Sequence, residues 1–459
     1  MKLAVLGGGG VRSPFLAKSI ALGAADTGIT ETVFMDIDEE KLYIYGKIAK
    51  KISHMINPEL KFSLTTDSAE ALRDADFIIT TIRAEGDKGR VFDERTALNL
   101  GVLGQETTGA GGFAMALRSI HTLIDYCEQA KIYAKPGAPI FNFTNPSGLV
   151  TQALRTMGYN NVYGVCDAPS GFLRQLREMT GYKDMTFKCF GLNHLSWFTE
   201  FIHDGKDVTA ELLSHPDIYR STELRLFPKK LVELSDNLMP NEYLYFYHYR
   251  DKAVGSILSG AKTRGETILE INEHMLSEMR TIDIDNDFEK AFHCFMEHYA
   301  MRENSYFSIE TGKMREEKFP VPTAEDYIKQ PENGSYAAVA LDFIKAVNSG
   351  KSVKMVLSIP NDGAMDFLAD TDVVEVSCTI DKDGAHPDKI GDVPEMQKNL
   401  IRDVKLYENL TVEAIMEKNK AKAIKALTVH PLVGSYPVAC ELVDRYSKEY
   451  EKYIGKWED

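Results

Sequence analysis

The sequence lacks paired cysteine spacing, a long apolar run and any excess of positive charge. Its six cysteines, at positions 127, 166, 189, 294, 378 and 440, are scattered, which argues against a disulfide framework. No apolar stretch approaches the roughly 20 residues that cross a bilayer. The N-terminus enters a strand with no signal segment, so the expectation is a reduced, cytoplasmic protein in which a thiol stays available for chemistry. A formal net charge of −15 argues against nucleic acid or an anionic membrane as partner. It leaves a small anionic substrate open, because fields are screened beyond roughly 8 Å and a few local arginines decide binding. Repeats and low-complexity segments are also missing. At 459 residues the chain is long enough for two or three domains with a large core.

What is present starts with a strand and a glycine loop. The apolar run Lys2 to Leu6 stops at Gly7, Gly8, Gly9 and Gly10, and Pro14 to Leu22 reads as a helix with Ser13 at its cap. Such a loop at a helix N-terminus suits a pyrophosphate. Thr32 to Met35 reads as a second strand ending at Asp36, placed to accept from a ribose hydroxyl, which favours NAD over NADP. Strict GxGxxG spacing fails at Arg12. The context of strand, helix and acidic residue in order still supports nucleotide binding. Asp38 to Met55 has helical periodicity, and Phe62 to Leu64, Phe77 to Ile82, Pro139 to Thr144 and Asn161 to Val165 read as further strands. Strands alternating with helices predict an α/β fold with an N-terminal Rossmann-like, doubly wound parallel sheet over residues 1–165. Ligands of such a sheet gather past the carboxyl ends of its strands, where Arg83, Asn145 and Cys166 lie.

After residue 185 the pattern changes to a C-terminal α+β domain, residues 166–459, folded onto the first. Met185 to Phe190 and Ser196 to His203 read as strands, with a turn signal after them at Asp204-Gly205. Arg264 to Arg280, Asp287 to Met301, Gly334 to Val347 and Pro394 to Leu427 read as helices, the last with an internal break. Val373 to Ile380 alternates like an exposed strand. Taken singly, the chemical residues have plain readings. A free cysteine such as Cys166 usually packs as a small hydrophobe, His194 suits a hydrogen-bonded structural role, and Arg83 and Arg90 suit the surface. Cysteine and histidine in one pocket, by contrast, suit a borderline divalent metal.

Six motifs occur in order: the glycine loop with Val33 to Asp36; Gly104-Gln105-Glu106-Thr107-Thr108-Gly109-Ala110-Gly111-Gly112; Asn142-Phe143-Thr144-Asn145-Pro146; Cys166-Asp167-Ala168-Pro169; Gly191-Leu192-Asn193-His194; and Pro240-Asn241-Glu242-Tyr243. Together they resemble glycoside hydrolase family 4, the NAD- and manganese-dependent enzymes that depart from two-carboxylate hydrolysis. The resemblance runs from residue 2 to about residue 270, and more loosely to the end through Asn361-Asp362-Gly363.

The resemblance implies the following chemistry. NAD⁺ on the Gly7–Gly10 loop takes a hydride from carbon 3 of the sugar. A divalent metal, Mn²⁺ by family, is held by Cys166 and His194 and polarises the resulting ketone. Tyr243 removes the proton on carbon 2, the leaving group is eliminated, water adds, and the hydride returns. Asp167 is placed to protonate the leaving oxygen. Cys-Asp-x-Pro is similar to the 6-phospho-α-glucosidase pattern, whereas Leu195-Ser196 and Thr428-Val429-His430-Pro431-Leu432 look more like 6-phospho-β-glucosidases. The α-linkage is the expectation, with 6-phosphomaltose as an example. A 6-phosphate would call on Arg83, Arg90, Asn145, Asn193 and Arg264. The family also implies a homodimer or homotetramer. Two readings compete: an NAD-dependent 2-hydroxyacid dehydrogenase, with net NADH formation, and a non-catalytic nucleotide sensor.

Overall fold

The computed structural model describes residues 1–312, 318–331 and 336–457. Thirteen strands are seen among them: β1 Lys2–Leu6, β2 Glu31–Met35, β3 Lys61–Thr65, β4 Phe77–Thr80, β5 Ile140–Asn142, β6 Val162–Gly164, β7 Thr186–Leu192, β8 Leu195–His203, β9 Lys206–Asp207, β10 Met239–Pro240, β11 Val353–Pro360, β12 Val373–Asp381 and β13 Gly384–Pro387. The first six pair in parallel in the order β3-β2-β1-β4-β5-β6. This is the doubly wound order, whose direction reverses between β1 and β4 and opens a crevice there. Leu3, Ala4, Val5 and Leu6 are all buried, as expected for a central strand covered by helices on both faces.

The sheet does not end with β6. Strands β11, β12 and β13 add to it antiparallel, with Ser358 opposite Gly164, giving nine strands. A second sheet is built on the β7–β8 hairpin, with β10 and β9 along β8. Its β7 packs onto β12, where the Cys189 N–H donates to Ser377 Oγ at 2.9 Å. That contact corrects the expectation of an exposed strand at Val373 to Ile380. Its polar side chains Glu375 and Ser377 are buried because they face the second sheet rather than water. The alternation is real; what differs is the covering layer.

Other differences are local. Ser13 is the first residue of the helix Ser13–Thr27, not its cap; Arg12 stands at the cap and makes no side-chain bond there. The predicted helix from Asp38 is divided into Glu39–Lys41, a wider π turn Leu42–Gly46, and Lys47–Ile56. The helix expected from Gly334 is described as Tyr336–Ser349, and Gly334 itself lies outside the described residues. The long C-terminal segment does break internally, into Glu395–Glu417 and Lys420–Val429, with Lys418 left-handed between them. No helix is long and apolar enough to cross a membrane among the described residues.

Candidate active site

The crevice at the carboxyl ends of β1, β2 and β4 opens into a cavity of about 1070 Å³. Its floor is the glycine loop. Gly7 has φ +100°, and a Cβ there would stand 2.5 Å from the Thr81 carbonyl oxygen, so only glycine fits. The Gly7 and Gly8 N–H groups both donate to the Met35 carbonyl at 2.8 Å. Gly7, Gly9, Gly10 and Asp36 line the cavity, while Gly8 packs beneath it against Phe34. Asp36 accepts from the Gly9 N–H at 2.9 Å and the Asp38 N–H at 3.0 Å. Burial raises its pKa, against those two bonds. A carboxylate so fixed beside a glycine loop suits a ribose hydroxyl.

Opposite the loop lies a charged cluster. Arg83 and Arg90 both pair with Glu106, Arg90 Nη1 at 3.1 Å, and Arg90 Nε pairs with Glu94 at 2.7 Å. Glu106 sits well below the usual carboxylate range: the two guanidiniums outweigh its burial. Glu94 also accepts from the Gly265 N–H at 2.7 Å, which fastens the start of the helix Arg264–Met279. Thr263 and Glu266 cap that start reciprocally, a capping box. Arg264 thereby reaches the cavity with Arg83, Arg90 and Asn145. It donates to Ser305 Oγ and, at 2.8 Å, to the Arg302 carbonyl. Glu310 and Glu303 act on it and oppose the shift, but burial with Arg90 close by lowers its pKa to about 10.

The third part is the Cys166–His194 pair. Cys166 follows the end of β6, and His194 sits in the two-residue Asn193-His194 turn between β7 and β8. Gly191 makes that hairpin possible, since a Cβ there would lie 2.2 Å from the Leu195 carbonyl oxygen. His194 itself takes φ 64°, an uncommon left-handed conformation for a side chain of this size. The turn brings its Nε2 to 3.6 Å from Cys166 Sγ. Burial lowers the His194 pKa to about 3 and pushes the Cys166 thiol up. His194 Nδ1 is buried with no hydrogen-bond partner among the described residues. A neutral imidazole whose Nε2 faces a thiol fits a borderline divalent metal and leaves further coordination positions for a substrate.

Tyr243 stacks on His194, ring centroids 3.8 Å apart. Its hydroxyl lies 3.2 Å from that of Tyr306, which lies 2.9 Å from Glu242. Burial, with Glu242 next, pushes the Tyr243 phenol well above its ordinary range. Asp167 lines the same cavity and pairs with Arg12 at 3.4 Å; burial raises its pKa and Arg12 opposes the rise. Cys166 and His194 stand behind the lining residues Asp167 and Tyr243 and are not themselves part of the cavity lining, and neither is Asn193. Its amide is held by Glu375 at 2.9 Å and by the Gly148 N–H at 3.3 Å, so it braces the His194 turn. Glu375, Tyr306, Arg302 and the role of Arg12 escape the sequence reading. Glu375 is hidden by its alternating strand, Arg302 and Tyr306 by distance along the chain, and Arg12 by standing where a glycine is expected.

The family model for the family 4 glycosyl hydrolases matches residues 2–182, and the model for their C-terminal domain matches residues 189–433. The chain belongs to family 4 of the glycosyl hydrolases. As a family 4 member it is a glycosidase, and the dehydrogenase and sensor readings fall away. The 6-phospho-beta-glucosidase BglT of Thermotoga maritima is 28% identical over 465 residues, 99% of each chain. The maltose-6'-phosphate glucosidase MalH of Clostridium acetobutylicum is 28% identical over 468 residues, 98% of this chain and 97% of that one. The Thermotoga 6-phospho-beta glucosidase solved with manganese, NAD⁺ and glucose-6-phosphate superposes over the whole of both chains with a TM-score of 0.81 at 28% identity. A 6-phospho-alpha-glucosidase from gut microorganisms, solved with NAD and Mn²⁺, gives 0.80 at 26% identity, covering 100% of this chain and 99% of that one.

Proposed function

We propose that this family 4 chain hydrolyses 6-phosphorylated glucosides, the α-linked ones first, using NAD and a divalent metal. The observation that carries this reading is one cavity bordered by three features. They are a dinucleotide-type glycine loop, Tyr243 and Asp167 where the lining meets the Cys166–His194 pair, and the buried Arg264. Relatives solved with NAD, manganese and glucose-6-phosphate support it.

NAD⁺ on the Gly7–Gly10 loop supplies a hydride acceptor, which makes the carbon next to the oxidised one acidic. Manganese held by Cys166 and His194 supplies positive charge that stabilises negative charge on nearby oxygens. The chain does the rest. Tyr243 takes the proton; the Tyr306 hydroxyl, between Tyr243 and Glu242, gives that proton a path away from the reacting carbon. Asp167, held protonated more readily by burial, gives its proton to the leaving oxygen. Arg264 takes the 6-phosphate, with Arg83, Arg90 and Asn145 on the same wall, since guanidinium matches phosphate geometry. Asn193 acts through the His194 turn. A charged sugar phosphate does not leak through a bilayer, which accords with work in the cytoplasm, as a homodimer or homotetramer.

The β-linked reading has its own support: the Thermotoga enzyme, named for β-linkages, is as similar as the α-named relatives. Chromogenic α- and β-glucosides, each with and without the 6-phosphate, test both. Turnover is expected for the phosphorylated α-glucoside and absent for both unphosphorylated ones. Preference for the phosphorylated β-glucoside reverses the linkage, and equal turnover with and without phosphate defeats the assignment of Arg264.

A further inference from the structure

A second set of metal-type donors stands on the helix pair Arg264–Met279 and Phe288–Asn304, outside the sugar cavity. His274 and Glu278 are one turn apart on the first helix, Cys294 and His298 on the second, and each i,i+4 pair shares a face. His274 Nδ1 lies 3.1 Å from His298 Nε2 and 3.5 Å from Glu278 Oε1. One donor atom from each of His274, Glu278 and His298 falls within 4.8 Å of the others. Donors bound about 2.0–2.2 Å from a tetrahedral ion stand roughly 3.3 Å apart, so these side chains are already near ligand spacing.

Their neighbours orient them. His298 Nδ1–H donates to the Cys294 carbonyl at 2.9 Å. That bond fixes the tautomer and turns the Nε2 lone pair toward His274, as metal-binding imidazoles are held by a backbone carbonyl behind them. The Cys294 thiol donates to Glu278 Oε2 at 3.4 Å, leaving Oε1 toward His274. His298 is 5% exposed, whereas His274 and Glu278 are open to solvent. The site has a fixed floor and an entry path.

We infer that His274, Glu278 and His298 bind a divalent transition-metal ion of the zinc class, clipping these two helices together. Two imidazoles and one carboxylate select such an ion over calcium or magnesium, which prefer all-oxygen sites. The clip joins the helix that begins at Arg264 to the one that carries Arg302, already linked by Arg302 Nη1 donating to Asn272 at 2.7 Å. The inference is independent of the sugar reading.

The test titrates zinc alone into chelator-treated Cys166→Ser protein, which lacks the sugar-site thiol. One equivalent is expected to bind and to raise Tm. Adding His274→Ala, the loss of an exposed side chain, is expected to weaken zinc binding by at least roughly 10-fold and to remove the rise in Tm. The same loss of the Tm rise is expected for His274→Ala in the native background, with glucoside turnover unchanged. Equal zinc affinity and equal Tm response with and without His274 overturn the inference, including the case in which zinc gathers at Asp184, His203 and Asp204.

Discussion

His194 and Cys166 illustrate how much of this site is decided one side chain at a time. Histidine already neutral above about pH 3 has no proton to lose on binding a metal, whereas a thiol raised by burial must lose one. Metal binding to the pair therefore releases about one proton, and affinity rises by about tenfold per pH unit while the thiol stays protonated. Isothermal titration of manganese between pH 6 and pH 8 checks this slope; a pH-independent affinity would show that Cys166 is not a ligand. Tyr243 carries the second expectation at this scale. Tyr243→Phe keeps the ring stacked on His194 and removes the hydroxyl proposed as the base, so kcat is expected to fall by roughly 10²- to 10⁴-fold while NAD binding, read by fluorescence, is retained. A kcat within a factor of two of the native value would end the tyrosine's role.

Among the elements, the helix Gly86–Leu98 links the cavity to the C-terminus. Its Arg90 and Glu94 face the charged cluster, while Asp93 faces the other way and pairs with the buried Arg118 at 2.6 Å. Tyr450 Oη donates to Asp93 Oδ1, and the Tyr446 hydroxyl donates to the Asp93 carbonyl at 2.9 Å, which docks the helix Tyr436–Glu449 and the turn that follows it. Arg118 is 0% exposed. Asp93→Ala leaves that guanidinium buried and unpaired, and we expect a loss of about 3–5 kcal/mol in urea unfolding, with the cavity residues untouched. In the sequence Arg90, Asp93 and Glu94 lie together past β4. Which of the three turns inward, and toward what, depends on a C-terminal helix more than 300 residues away. The element β12 carries the same lesson. Its alternation was legible, but the layer covering its polar face comes from β7, and no local pattern names it.

On the scale of the whole molecule, the nine-stranded sheet ties both halves together, so the Cys166–His194 pair is assembled from the end of β6 and from a hairpin packed on a late strand. The Glu375 carboxyl, pushed up to about 7 by burial, holds Asn193 and Ser196 and thus the His194 turn. The net charge of −15 coexists with arginines turned into one cavity. Removal of cofactors belongs at this scale. Exhaustive dialysis against chelator without NAD is expected to abolish glucoside turnover, and substoichiometric NAD with manganese to restore it with no net NADH absorbance. Restoration by either alone, or steady NADH accumulation, would contradict a redox-neutral cycle.

The sequence by itself determined the parallel sheet, the glycine loop with Asp36, and the family to which the chain belongs, because each rests on short-range order: apolar runs, a tight turn that only glycine allows, and motifs in a fixed succession. It also put Cys166, Asp167, His194 and Tyr243 forward by those motifs. Only the tertiary structure decided that the sheet continues antiparallel through β11 to β13, that Asn193 braces rather than lines the cavity, that Arg302 and Tyr306 join its lining, and that Glu375 stands behind the His194 turn. Those outcomes depend on contacts between residues far apart in the chain, where burial and charge are set by what packs opposite and not by the neighbours in sequence.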